Sequence, residues 1–452
     1  MSAPQIDELY TIGAGGNRRV VHPADVRGKY TTRRRLISAG LVLVLLALPF
    51  IQVNGLPSVW IDVARRRFHF FGASLGPTDS YLLFFLITGV AFALIVASAL
   101  WGRVWCGYAC PQTVFLETVF RNIERWIEGS REQRMRLADS AWTWSKLWRR
   151  GLKLSVFFVL SAGIAHVLLC YFVSPAALWA DMQLGPSSSP FAFGASVLCT
   201  AVLFFNFTWF REQLCIIICP YGRLQSALSD ADTVVIGYDA LRGEPRGKVS
   251  DPDAGACVSC NRCVTVCPTA IDIRHGLQLE CVGCANCIDA CDEIMIKVGR
   301  APGLIRYDSQ AGFAGQKRTF WRPRVYLYSA FALVGLIALT ATLATRPSLP
   351  ATLVRQSGAP FVIDGDTVRN AYALHLHNRR AEAVDWTVVV TAPAALHVIL
   401  PRQSVHLEPY EKQILPLFVE AKQPAAQSDF TLRVGDVMTL NGHFLAPTPA
   451  PR

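Results

Sequence analysis

Five long apolar stretches constrain what this chain can fold into. They run over 36–53 (LISAGLVLVLLALPFIQV), 81–101 (YLLFFLITGVAFALIVASALW), 152–173, 191–210 and 325–345. A helix rises about 1.5 Å per residue, so roughly twenty such residues cross a bilayer's hydrocarbon core. In that core only a helix or a closed barrel satisfies its own backbone. The expectation is an α-helical bundle of five transmembrane spans. A hydrophobic content of 52% and a mean hydropathy of +0.31 agree with it.

Pro49 is expected to kink the first span. Arg33, Arg34 and Arg35 ahead of it look like the charged start of a signal peptide. No small-x-small cleavage site follows, which favours a retained anchor. Basic residues mark the cytoplasmic loops. Residues 1–35 carry seven Lys/Arg, 54–80 three, 102–151 nine, 174–190 none and 211–324 fourteen. The N-terminus, 102–151 and 211–324 are therefore expected in the cytoplasm, and the C-terminal region outside. Arg65, Arg66 and Arg67 fall on the outer side; at a helix centre each would cost about 2.5–3.5 kcal/mol. ARRRFHFFG (64–72) accordingly reads as an interfacial segment. These membrane flanks account for the net charge of +11, and no nucleic-acid partner is expected.

The chain holds 14 cysteines. Residues 257–268 read CVSCNRCVTVCP and 281–292 read CVGCANCIDACD. Each is Cys-x2-Cys-x2-Cys-x3-Cys, the two-cluster ferredoxin pattern, in which the last cysteine of each run ligates the other cluster. Cys257, Cys260, Cys263 and Cys291 are expected to hold one [4Fe–4S] cluster, and Cys281, Cys284, Cys287 and Cys267 the second. Pro268 closes the first run; Asp292 stands where the second would have proline, a change expected to alter the local turn. Zinc on CxxC pairs is the competing reading, and disulfides conflict with a reducing cytoplasm.

WCGYACP (105–111) follows the second span and LCIIICP (214–220) the fourth. Cys106 and Cys110, like Cys215 and Cys219, are four apart and would share a helix face, with the proline ending or kinking the helix. The two motifs read as an internal repeat. Spans two and four are then expected side by side, gathering four thiols near the membrane surface. Soft thiolates select Cu(I), zinc or iron–sulfur, and a redox dithiol is a further choice. The plain alternative is helix packing. Cys170, Cys199 and His166 lie within the third and fourth spans. They are read as packing residues or as part of a metal path or quinone contact.

Residues 346–452 alternate apolar and polar in short runs broken by Asp-Gly, Asn-Gly and Pro, which reads as a β-sandwich of about seven strands. His375 and His377 share a strand face, as an outer copper site or simply a solvated surface. GAGGN (13–17) follows no strand and is no dinucleotide fingerprint, so electrons must come from another protein or a quinol. The domain order is expected to be 1–35 N-terminal segment, 36–230 four spans, 231–324 ferredoxin-like α+β insert, 325–345 fifth span, and 346–452 all-β immunoglobulin-like domain.

FREQLCIIICPYGRLQSALSDADTVVIGYDALRGEPRG, the double cysteine run and CPTAIDIRHGLQLEC together resemble the FixG/RdxA/CcoG family, over nearly the whole chain. The resemblance implies an accessory protein for assembly of cbb3-type cytochrome c oxidase in the bacterial cytoplasmic (inner) membrane, with a periplasmic C-terminal domain. It implies a cupric reductase delivering Cu(I) to the oxidase's copper centre, with Cys106, Cys110, Cys215 and Cys219 handling copper. Oxidase assembly factors or copper transporters would be its partners, and a homo-oligomer is open. The four-span core and the Cys-Pro repeats are also similar to the membrane ferredoxins of nitrate respiration, which implies a quinol dehydrogenase as an alternative. A non-enzymatic copper carrier or assembly scaffold is the third reading.

Overall fold

The fold is that of a computed structural model, which describes residues 20–63, 66–76, 79–346, 349–380, 382–423, 425–435 and 438–447. Arg65 and the stretch 13–17 lie outside them. The chain divides into two compact units. The first comprises 1–51, 59–65 and 78–340; the second comprises 52–58, 66–77 and 341–452.

The main helices are α1 (Lys29–Ala47), α2 (Ser80–Trp101), α3 (Trp144–Leu169), α4 (Pro190–Phe205), α5 (Asn286–Lys297) and α6 (Pro323–Thr345). Among the described residues four helices are long and apolar enough to cross a membrane: α2, α3, α4 with its π-helical continuation to Phe210, and α6. The stretch expected as the first span is built differently. Its helix α1 begins at Lys29, where the Asp289 carboxylate accepts from the Thr31 amide and hydroxyl, both at 2.7 Å. An acid at a helix N-terminus favours that start. The charged first turns thereby pack onto α5, burying Thr31 and Arg34. The apolar part from Leu36 ends at Ala47, after which Leu48–Phe50 form a 3₁₀ turn containing Pro49 and Gln52–Val53 a strand. Those twelve helical residues span about 18 Å, against a hydrocarbon core of about 30 Å.

Spans two and four are not each other's main neighbours. Helix α4 packs along α3, where Phe120 stacks on Phe207 at 4.2 Å between ring centroids and meets Phe157 edge-on at 4.9 Å. Helix α2 instead meets α6, with Phe92 stacked on Phe331 at 5.3 Å. Helix α2 also meets Pro220–Leu228, through a 2.7 Å hydrogen bond between Ser98 Oγ and the Tyr221 hydroxyl.

Between α4 and α6, strands Val235–Tyr238 and Ile305–Asp308 pair antiparallel and bracket the two cysteine runs, giving the ferredoxin-type part its α+β character. Its core holds Ile236, Ile273, Ile288, Met295, Leu304 and Ile305 around the cysteines. The 242–247 segment braces the first run: Cys257 N donates to Gly243 O, and Gly247 N to Cys257 O. Asp292 does not make an altered turn. It lies inside α5, where a proline would break the helix, and its Oδ1 accepts from Gly303 N at 2.8 Å.

The second unit is a β-sandwich. One sheet runs His397–Ile399, Lys412–Lys422, Thr367–His377, Ala351–Arg355, with Val362–Asp364 added to Thr367–His377. The other runs Ser404–Leu407, Val384–Thr391, Ser428–Val434, Met438–Phe444. Alternating residues such as Tyr372, Leu374, Leu376, Trp386, Leu417, Phe430 and Phe444 fill the space between them. Within the stretch expected at the interface, Arg67–Phe70 is one arm of a hairpin with Ala73–Leu75. It buries His69 against the edge of the Tyr410 ring. His375 is exposed and His377 buried.

Candidate redox site

The two Cys-Pro motifs share one backbone device, and it is not a continuous α-helical face. Span α2 ends at Gly102 (φ 53°, ψ −116°), and the span of α4 ends at Arg211 (φ 51°, ψ −120°). Four residues on come Cys106, in the turn Val104–Tyr108, and Cys215, in the π-turn Leu214–Ile218. Each turn closes with a five-residue hydrogen bond, Cys110 N to Trp105 O and Cys219 N to Leu214 O, both 2.8 Å. Cys110 and Cys219 are then extended (ψ 123° and 109°) and act as N-caps. Pro111 and Pro220 start the next helices rather than merely ending the previous ones, the position where a missing N–H costs nothing.

Each motif's following segment crosses to the other motif's span. Gln112 exchanges amide hydrogen bonds with Asn206 and donates to Arg211 O at 2.9 Å. Gln225 donates to Gly102 O at 3.4 Å and accepts from Cys106 Sγ at 3.4 Å. This crossing, rather than side-by-side spans, brings the two motifs together. Burial pushes the Cys106 thiol up to about 12, with the Arg103 charge opposing and Cys110 and Cys219 adding. Burial likewise pushes Cys215 up to about 12, helped by Cys110, Cys106 and Cys219. Among the described residues no three His, Cys, Asp or Glu side chains converge as ligands of a single metal ion, either at these motifs or at the cysteine runs downstream. His166 Nδ1 is 2.8 Å from Ala162 O of its own helix, Cys170 is buried just past α3, and Cys199 is half-buried on α4. Among the described residues no group of three ligands forms around them, nor around His375 and His377.

Downstream, Cys257, Cys260, Cys263 and Cys291 line one small cavity together with Arg274. A second, almost wholly apolar one is lined by Cys263, Cys267, Cys281, Cys284 and Cys287. Burial raises Cys263 and Cys284 to about 11, Cys291 to about 12, and Cys287 well above the ordinary thiol value. Such sulfurs are protonated unless a metal takes the proton's place. Soft thiols lining a common cavity at this spacing fit an iron–sulfur cubane. The positive charge of Arg274 acts on the first set and that of Arg34 on Cys284.

Two arginines tie the cysteine runs to the Cys-Pro motifs. Arg103 donates to Cys281 O and to Gly222 O, both at 2.9 Å. Arg121 donates to Pro268 O at 3.1 Å and pairs with Glu212 at 3.2 Å. Beside Arg103 the two loops touch backbone to backbone: a Cβ on Gly107 would lie 2.3 Å from Gly283 O. The WCGYACP motif therefore rests directly on the CVGC loop. Arg211, strained at positive φ, is held by a two-pronged pair to Glu124 at 2.9 and 3.2 Å. Burial would raise Glu124, but Arg211, Lys153 and Arg134 outweigh it and hold the carboxyl well below its usual range.

A family model described as a 4Fe-4S dicluster domain matches residues 210–310, and one described as a 4Fe-4S binding domain matches 82–131. A third, an IG-like fold at the C-terminal of FixG, matches 339–444. Protein RdxA of Cereibacter sphaeroides is 37% identical over 84% of this chain and 84% of its own length. Protein RdxB of the same organism is 34% identical over 95% and 94%. Nitrogen fixation protein FixG of Rhizobium meliloti is 32% identical over 80% and 77%. The chain belongs to the FixG/RdxA family. As a member it is an iron–sulfur electron-transfer protein of the membrane, with a C-terminal immunoglobulin-like β-domain.

Sequence reasoning missed Arg34, Arg103, Gly107, Arg121, Gln225 and Arg274. A basic residue directly after a span reads only as a topology marker, and nothing local marks its partner.

Proposed function

We propose that this FixG/RdxA-family protein reduces Cu(II) to Cu(I) at the crossing of its two Cys-Pro motifs, serving assembly of the copper centre of a cbb3-type oxidase. In this reading Cys257, Cys260, Cys263 and Cys291 hold one [4Fe–4S] cluster and Cys281, Cys284, Cys287 and Cys267 the other. Bound there, the clusters supply one-electron relay chemistry. Cys106, Cys110, Cys215 and Cys219 take the substrate copper ion. Thiolates prefer Cu(I) to Cu(II), so binding there favours uptake of one electron per ion. The Arg103 side chain and the Gly107–Gly283 contact hold the copper-handling loop against the cluster loop. That contact is the observation that carries the reading. The loop charges favour a cytoplasmic ferredoxin part, a periplasmic β-domain and an inner-membrane location, with α1 as a retained anchor. Mixing cluster-loaded protein, pre-reduced and desalted to remove excess dithionite, with Cu(II) under anaerobic conditions, and trapping Cu(I) with a specific chelator, tests it. Changing all four Cys-Pro cysteines to serine should abolish the rate while iron content stays constant; an unchanged rate rules the site out.

A cavity of about 230 Å³ favours a quinol as the electron source. It lies beside Cys281, Gly283 and Arg103, with Trp101 from the end of α2, Tyr307 and Gln278 in its wall. Gln278 Oε1 is buried without a hydrogen-bond partner, an acceptor suited to a phenolic hydroxyl. Anaerobic addition of a short-chain quinol without copper should bleach the oxidised clusters; no bleaching removes this donor.

A further inference from the structure

Five arginines, Arg34, Arg35, Arg121, Arg125 and Arg134, converge on one recess of about 50 Å³ near the start of α1, whose wall also carries the acids Asp25 and Glu117. Three have acids: Arg125 pairs with Asp25 at 2.8 Å, Arg121 with Glu117 and Glu212, and Arg134 with Glu124 at 3.6 Å. Among the described residues no carboxylate lies within ion-pair distance of Arg34 or Arg35. Arg34 is 7% exposed, and its Nη1 is buried without a partner, as are Arg121 Nε and Arg134 Nε. Donors and a charge buried in this way are costly unless an acceptor of opposite sign fills the space. The recess is therefore short of an anion with several acceptor oxygens.

The surface beyond it says which anion. One residue past Arg35 an apolar strip begins on the same helix, with Leu36, Leu43 and Val44 at 71%, 68% and 53% exposure. Spacings of seven and eight put them on one side. The strip's first residues, Leu36 and Leu43, stand about 80–100° around the helix from Arg35 at the mouth of the recess, so a ligand with an anionic head at Arg35 and hydrocarbon tails can reach both. We propose that this recess binds the phosphate of an anionic phospholipid, whose acyl chains lie along the Leu36–Val44 face of α1. The lipid would anchor the short apolar part of α1 and the N-terminal segment to the bilayer surface. The charge on Arg34 also acts on Cys284, so Arg35, at the exposed mouth, is the cleaner residue to change.

The full, cluster-loaded chain is exchanged into detergent with phosphatidylglycerol, phosphatidylcholine or inorganic phosphate. Retained lipid is counted by native mass spectrometry, with iron content as the control for integrity. We expect one phosphatidylglycerol per chain to survive delipidation and phosphatidylcholine to be lost. Arg35→Gln should weaken retention about fivefold and Arg34→Gln with Arg35→Gln about 25-fold. Equal retention of the two lipids, or unchanged retention in Arg35→Gln with iron intact, overturns the proposal. Thermal stabilisation by inorganic phosphate equal to that by phosphatidylglycerol would overturn the lipid and leave a free phosphate as ligand.

Discussion

Gly107→Ala tests whether the contact between the copper-handling and cluster loops matters. A Cβ there would stand 2.3 Å from Gly283 O, whereas nine in ten real Cβ contacts exceed 3.4 Å, so the loops must part by about 1 Å. The opposing atom is backbone and cannot swing away. Gly107 sits in a helical turn, so alanine strains no dihedral there and gains about 1 kcal/mol of helix propensity. Overpacking costs about 1–3 kcal/mol, so the net effect on stability is small, and both clusters should be retained. The rate is another matter: a 1 Å misplacement of reacting groups can cost up to about 10²-fold. Cu(I) trapping with pre-reduced protein, normalised to iron content, should show a clear fall for Gly107→Ala. Gly222→Ala is the control, since its Cβ would meet Cys215 O at a tolerable 3.4 Å, and it should keep the wild-type rate. A wild-type rate in Gly107→Ala would refute the idea that this contact couples the two sites.

Glu124→Gln leaves the buried cations Arg211, Arg134 and Lys153 without their shared carboxylate, and should cost about 3–5 kcal/mol in denaturant unfolding. His22 is lowered to about 4, chiefly by burial, against the opposing pull of Glu124. The folded form thus binds fewer protons than the unfolded form between pH 6.5 and 4, and docking of the 20–27 segment should weaken as pH falls through that window. Hydrogen exchange of that segment should show the loosening in wild type and not in His22→Gln. Because Glu124 is held low, its own contribution to stability is present above the usual carboxylate range and is lost only in stronger acid.

The legible parts of this protein were those whose logic is local. Eight cysteines at ferredoxin spacing declare their chemistry because three of each set lie within one tight loop. Spans α2, α3, α4 and α6 were readable because apolar length alone decides them, and the β-domain because its alternation is strict. The first stretch misled, since its apolarity hid that its helix begins earlier, pinned to Asp289 some 258 residues away. The Cys-Pro motifs were found as a repeat, but their shared face was not. A five-residue closure and an extended cysteine before proline replace the α-helical geometry that a four-residue spacing suggests. The link that matters most, Arg103 to Cys281, joins residues 178 apart and has no signature in either neighbourhood.

The central claim is that electrons held in the cluster domain reach copper at the crossed Cys-Pro motifs. Anaerobic rapid mixing of dithionite-reduced, desalted protein with Cu(II), followed by freeze-quench electron paramagnetic resonance, measures it directly. The account predicts that the reduced-cluster and Cu(II) signals disappear together, one electron per copper, and that both persist when Cys106, Cys110, Cys215 and Cys219 are serine. Signals that decay equally fast in that variant, or clusters that stay reduced in the wild type while Cu(II) is bound, would contradict it.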